Sequence, residues 1–199
     1  MTRRLTNEAG FSVLELLVAL AVMSVAVGGA STLLVENSRV NKRERLNAEV
    51  QANARTCLAA IVRELGSAGW DPVGLGIDPV AVDPDLDDEV SQIEIFADRN
   101  GDATIDGPRE QTLIRHVEDR VEWRPGVDAE FETLAPHITN DRDGDGTIEP
   151  MFETFPAGSS RPTRIRVQIT ARSPVPVPGG DPIRFTVATE VALRNASGS

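Results

Sequence analysis

Two short runs of alternating oxygen ligands stand out in the 199-residue chain. The first is Asp98-x-Asn100-x-Asp102-x-Thr104-x-Asp106, and the second is Asp141-x-Asp143-x-Asp145-Gly146-Thr147-Ile148-Glu149. Calcium takes about six to eight oxygens, and alternate Asp and Asn residues around a tight turn supply them. The seventh position contributes a backbone carbonyl, here from Thr104 and Thr147, and Ile105 or Ile148 follows it. An EF-hand would close on a bidentate Glu at its twelfth position, where this chain has Arg109 and Phe152; Glu110 and Glu153 come one residue later. Both loops therefore read as candidate non-EF-hand sites for structural Ca2+, with further ligands expected from elsewhere. Clustered carboxylates repel one another, and a cation relieves that repulsion. The competing reading is a solvated Asp/Gly turn.

A single carboxylate near the N-terminus poses a different problem. From Phe11 to Val35 the only charged residue is Glu15. This apolar run is 25 residues long, and about 20 suffice to cross a bilayer as a helix. A carboxylate within it costs about 2.5–3.5 kcal/mol on insertion scales, so it needs a partner. Arg3 and Arg4 precede the run, and the positive-inside rule then puts the N-terminus in the cytoplasm. A secretory signal peptide is the competing reading. It would be cut after the run, at Gly28-Gly29-Ala30 and before Ser31, and it gives no reason for Glu15.

The elements that must carry these groups can be read from periodicity. Leu46, Val50, Ala54, Cys57, Leu58, Ile61, Val62 and Leu65 recur at three- and four-residue spacing, one face of a helix. Gly66 and Gly69 are stop signals. One helix from about 11 to 66 would be about 84 Å long at 1.5 Å per residue. It would be apolar all round over 11–35 and amphipathic over 36–69. Gly28-Gly29 weakens its first half by about 2 kcal/mol of propensity; close packing through small residues and a segment able to extend are both open. Cys57, on the apolar stripe, reads as a buried small hydrophobe.

Residues 71–89 carry three Pro, two Gly and many Asp, and read as a long surface loop. Strands are expected at Gln92–Ala97, Thr112–Glu118, Val121–Arg124, Arg164–Arg172 and Arg184–Leu193. The last two alternate most clearly and form a hairpin with a long Pro/Gly loop at Ser173–Pro182. The fold class is α+β: a long N-terminal helix on an antiparallel head spanning 70–199.

Charge is segregated along this plan. The net formal charge is −11, but residues 71–106 alone carry −10 and residues 107–160 carry −7, whereas 36–70 carry +2 and 161–199 carry +4. The acidic balance argues against a nucleic-acid partner. One cysteine excludes an intrachain disulfide framework and multi-cysteine metal sites. His116, His137 and the Ser159-Ser160 pair form no nucleophile–base or metal-ligand spacing, so an enzyme is not expected and a hydrolase is remote. Trp70 and Trp123 read as core or rim residues.

The residues Gly10-Phe11-Ser12-Val13-Leu14-Glu15-Leu16-Leu17-Val18-Ala19-Leu20 closely resemble the processing motif of type IV pilins and type II secretion pseudopilins. The resemblance implies a leader, residues 1–10, cut by prepilin peptidase between Gly10 and Phe11, followed by N-methylation of Phe11. It makes Glu15 the acidic residue that, in the family's assembly model, pairs with the terminal amine of a neighbouring subunit and sets register. The stretch Ile93–Ile114 and the ending at Leu193-Arg194-Asn195 resemble PilW-type minor pilins and PulJ-type minor pseudopilins, although Leu113 and Ile114 stand where that family often carries Tyr. The implied fold is pilin-like. The implied partners are sister minor subunits, the major pilin, the peptidase and the inner membrane. The implied location is a single pass with a periplasmic head, and then a filament at the cell surface. The alternative function is a membrane-anchored extracytoplasmic calcium-binding domain outside any filament.

Overall fold

A computed structural model of the chain describes residues 12–74, 76–83, 91–107, 110–157, 159, 161–177 and 180–193. Among the described residues the element order is one helix followed by eight strands. Helix α1 spans Val13–Leu65. Ser12 caps its start: the Leu14 N–H donates to Ser12 Oγ at 3.2 Å and the Leu16 N–H to the Ser12 carbonyl at 3.1 Å, which satisfies donors that would otherwise be orphaned. At the far end Gly66 follows the last helical residue, and Gly69 adopts φ 68°, where it donates to the Phe96 carbonyl at 2.8 Å. Both glycines therefore punctuate as their sequence positions suggest.

The described residues up to Glu44 form one compact unit and those from Arg45 another. The first unit is helix alone, and its apolar side chains are exposed, Leu14 at 71% and Val25 at 77%. Within the second unit Leu46, Val50, Ala54, Cys57, Leu58, Ile61 and Leu65 are buried. The three- and four-residue spacing thus marks a real packing face.

That face meets two antiparallel sheets. The first has five strands in the order β1 (Val80–Asp83), β2 (Gln92–Phe96), β3 (Gln111–Val117), β4 (Arg120–Pro125) and β5 (Glu132–Pro136), a meander. The second has three: β6 (Phe152–Phe155), β7 (Arg164–Arg172) and β8 (Arg184–Ala192). Ile93, Ile95, Ile114 and Val121 from the first sheet share one core with Ile165, Val167 and Ile169 from the second and with the buried stripe of α1. Full burial of a side chain such as Ile61, with 0% exposure, contributes about 1.5–3 kcal/mol. The guanidinium of Arg55 lies 5.6 Å from the ring centroid of Phe185, a cation–π contact between α1 and β8.

The two sheets join at a buried seam. Ile138 bridges to Ala171. His116 on β3 hydrogen-bonds through Nε2 to the Ile138 carbonyl at 2.9 Å, while its N–H donates to the Ser91 carbonyl at 2.9 Å. Ser91 Oγ accepts the Met151 N–H at 3.1 Å.

The expected β7–β8 hairpin is present, in register from Arg164↔Ala192 to Arg172↔Arg184, and β2, β3 and β4 lie within a residue or two of expectation. One correction concerns 71–89. Val80–Asp83 is not loop but edge strand, pairing with β2 from Val80↔Ile95 to Asp83↔Gln92. Its Val-Ala-Val core is too short to show a period against the surrounding Pro and Asp, and only tertiary pairing defines it. Strands β5 and β6, of 5 and 4 residues, are likewise additions to the expected set. Trp70 is 54% exposed, whereas Trp123 packs against the core.

Candidate functional site

The N-terminal motif is built on the first turns of α1. Gly10 and Phe11 lie outside the described residues. Glu15 stands three residues after the cap, in the first helical turn, and is exposed. Between Val13 and Val35 the only other side chains with polar groups are Ser24, Ser31 and Thr32. All three satisfy themselves: Ser24 Oγ donates to the Leu20 carbonyl at 2.7 Å, Ser31 Oγ to Val27 at 2.8 Å, and Thr32 Oγ1 to Gly28 at 2.8 Å. Such back-bonding makes a hydroxyl tolerable in hydrocarbon. Glu15 accepts no side-chain hydrogen bond among the described residues, so it alone brings an unmet demand to this surface. Gly28 and Gly29 remain helical, and a Cβ on either would meet nothing.

The first acidic loop runs from β2 to β3. Asp98 is fully buried; its Oδ1 accepts the Gly101 N–H at 2.7 Å and its Oδ2 the Ala103 N–H at 3.2 Å. Gly101 and Ala103 both have positive φ, 75° and 69°, and these turns point the amides inward. Asn100 donates to Asp102 at 2.7 Å, and the Thr104 hydroxyl, with one proton to give, lies 2.6 Å from Asp102 and 2.9 Å from Asp106. The Thr104 hydroxyl and amide, followed by the Asn100 amide, hold the Asp102 carboxyl below the usual carboxylate range.

Glu110, which the ligand spacing omits, organises this loop. It is 1% exposed. Its Oε1 accepts the N–H groups of Arg99 and Asn100, both at 3.2 Å, and its Oε2 those of Asp106 at 3.2 Å and Gly107 at 2.5 Å. A Cβ at Gly107 would lie 2.5 Å from Glu110 Oε2, so a glycine is required for this approach. One oxygen from each of Asp102, Asp106 and Glu110 falls within 4.8 Å of the others. Asp98 does not join that carboxylate group.

The second acidic loop leaves Asn140 and returns at Glu149. Asn140 is buried; its Oδ1 accepts the Thr170 N–H at 2.9 Å and its Nδ2 donates to the Glu149 carbonyl at 3.0 Å. Asp141 accepts the Gly144 N–H at 2.6 Å, Asp143 that of Asp145 at 3.2 Å, and Asp145 that of Thr147 at 2.6 Å. The Thr147 amide and hydroxyl keep the Asp145 carboxyl below its ordinary range. Asp141, Asp143 and Asp145 bring one oxygen each within 4.8 Å of one another. Glu149 is engaged elsewhere, accepting the Arg142 N–H at 3.0 Å.

Arginines supply positive charge to both loops. Arg184 Nη2 lies 3.8 Å from Asp141 and its guanidinium covers Gly144, where a Cβ would stand 2.5 Å from Nη1. Arg142 Nε is 4.0 Å from Glu149. Arg99 reaches from the first loop to Glu64 on α1 at 3.0 Å and to Ser67 Oγ at 2.7 Å. The carboxylate repulsion expected from sequence is thus partly met by these arginines and by inward-pointing amides.

No curated protein and no solved structure matches the chain. Residues 5–31 match the family model for the prokaryotic N-terminal methylation motif, which over that span is consistent with a type IV pilin-like protein.

Proposed function

We propose that the protein is a structural subunit, of the minor pilin or minor pseudopilin kind, that is processed by prepilin peptidase and joins the tip of a type IV pilus or type II secretion pseudopilus. The observation that carries this reading is the methylation motif at 5–31 set on an exposed apolar helix whose one unsatisfied polar side chain is Glu15. Cleavage between Gly10 and Phe11 would create an ammonium at Phe11, and a carboxylate in hydrocarbon is tolerable when paired with such a charge. Residues 11–35 would then bundle with sister minor subunits and the major pilin, 36–69 would carry the head, and 70–199 would stand outside the inner membrane and later on the filament. The role is assembly, not catalysis.

Intact mass of the membrane-extracted protein tests it. A chain lacking residues 1–10 and carrying one methyl group on Phe11 is expected. An uncut chain, or one starting at Ser31, refutes the reading.

A second reading, a membrane-anchored calcium-binding domain, draws on the convergence of Asp141, Asp143 and Asp145 and on the Asp102, Asp106 and Glu110 group. Calcium is then expected to raise the melting temperature, and Asp143→Asn with Asp145→Asn to remove the rise. A melt indifferent to calcium and chelator counts against it.

A further inference from the structure

The segment directly after the apolar run carries a charge pattern to which the proposed function assigns no role. Arg39, Lys42, Arg43 and Arg45 fall within seven residues of one another on α1, and all four are exposed. Arg39 approaches Glu36 at 3.7 Å. Lys42, Arg43 and Arg45 form no ion pair among the described residues. The apolar helix from Val13 to Val35 is about 34 Å long, enough to cross a hydrocarbon core of about 30 Å. Arg39, Lys42 and Arg43 then follow Val35 by about 6, 10 and 12 Å of helix rise. The headgroup layer is about 5–7 Å deep on each face, so Arg39 falls within it, and Lys42 and Arg43 stand just outside it, where long basic side chains can reach back to the interface.

Only Arg3 and Arg4 precede the run. With the N-terminus cytoplasmic, as the proposed function has it, the cluster after the run lies on the far side of the bilayer, where α1 leaves the hydrocarbon. An exposed basic cluster next to the interface is complementary in charge to anions held there. The anions found there are lipid phosphates.

We propose that Arg39, Lys42 and Arg43 form a basic collar that binds the phosphate headgroups of anionic phospholipid where α1 leaves the bilayer. The inference rests on the membrane-spanning part of the functional reading and not on processing or filament assembly. It competes with one other occupant, the acidic loops of a second copy of this chain.

Native mass spectrometry of the full chain in detergent, titrated with phosphatidylglycerol or phosphatidylcholine, separates these. The expected result is about tenfold preferential retention of phosphatidylglycerol. Arg39→Gln, Lys42→Gln and Arg43→Gln together should abolish the preference while leaving phosphatidylcholine retention unchanged. Arg39→Lys with Arg43→Lys should keep it, as should the control pair Arg63→Gln and Arg172→Gln. Equal retention of both lipids, or a preference that survives the triple substitution, overturns the proposal. Self-association that the triple substitution removes, without any lipid preference, also overturns it and assigns the collar to a second copy. Because the assay needs neither cleavage nor a filament, its outcome is independent of whether the intact-mass test supports a processed subunit.

Discussion

Arg99 donates to Glu64 at 3.0 Å across 35 residues of sequence, tying the first acidic loop to the last turn of α1. Glu64 is nearly buried, with a side chain 10% exposed, while Arg99 is 34% exposed. Solvent therefore screens part of the pair. Arg99→Ala is expected to destabilise the protein by about 1 kcal/mol, read as a lower midpoint in chemical denaturation of the full chain in detergent. A double-mutant cycle with Glu64→Gln should return a coupling of similar size.

Glu110 should matter more. Its two oxygens serve four backbone amides. Glu110→Gln would turn an NH2 group toward two of these donors. The expected loss is about 2–3 kcal/mol, since buried donors left unpaired cost about 1–3 kcal/mol each and some will find water. If the midpoint is unchanged, this carboxylate does not hold the loop.

His116 gives a pH dependence with a definite sign. Burial, the largest influence, pushes the imidazole below its ordinary value, against the Ile138 carbonyl and the Asp119 carboxylate, which push the other way. Its Nδ1 is buried without a partner, so a proton there would be poorly solvated. As pH falls past about 6.5 the unfolded chain takes up a proton that the folded chain resists. Stability is thus full above that pH and declines below it. Denaturation midpoints at pH 7.5 and 5.5 should differ in this direction, and His116→Phe should flatten the difference over that window.

Cys57 is buried in the core, and desolvation pushes its thiol up to about 12. A thiol so placed is protonated and inaccessible, hence inert. Iodoacetamide should leave the native protein unlabelled at neutral pH and modify it once denatured. Rapid native labelling would place Cys57 outside the core.

Glu15→Gln keeps the shape of the side chain and removes its charge. Under the proposed function the variant is cleaved normally between Gly10 and Phe11 but fails to co-assemble. Immunoblots of sheared filaments against membrane fractions read both steps, and normal recovery in filaments would exclude a register role.

The features legible in the sequence are those with many repeats or a strong contrast. Helix α1 shows its buried stripe over several turns. Strand β7 alternates polar and apolar residue types over its nine residues, although Val167 to Ala171 are all buried, while β8 alternates in exposure along most of its length. Glu15 is conspicuous because nothing near it is charged. Strands β1, β5 and β6 offer only one or two periods apiece, so pairing rather than propensity defines them. The acidic loops were legible as clusters but not as structures. The cradle around Glu110 is made of backbone amides, which leave no mark in side-chain spacing, and Ala103 reaches its positive φ without the glycine that usually announces one.

The three hydroxyls that turn back onto their own helix have a mechanical consequence. A neighbouring helix lying along this rod would meet an apolar flank bearing a single tooth. Apolar ridges and grooves would set how closely the two helices pack, and Glu15 would be the one place along this stretch where a charge could add positional information. A second carboxylate two turns further on would not strengthen such a joint; it would offer a rival notch, and subunits could lock one step out of place.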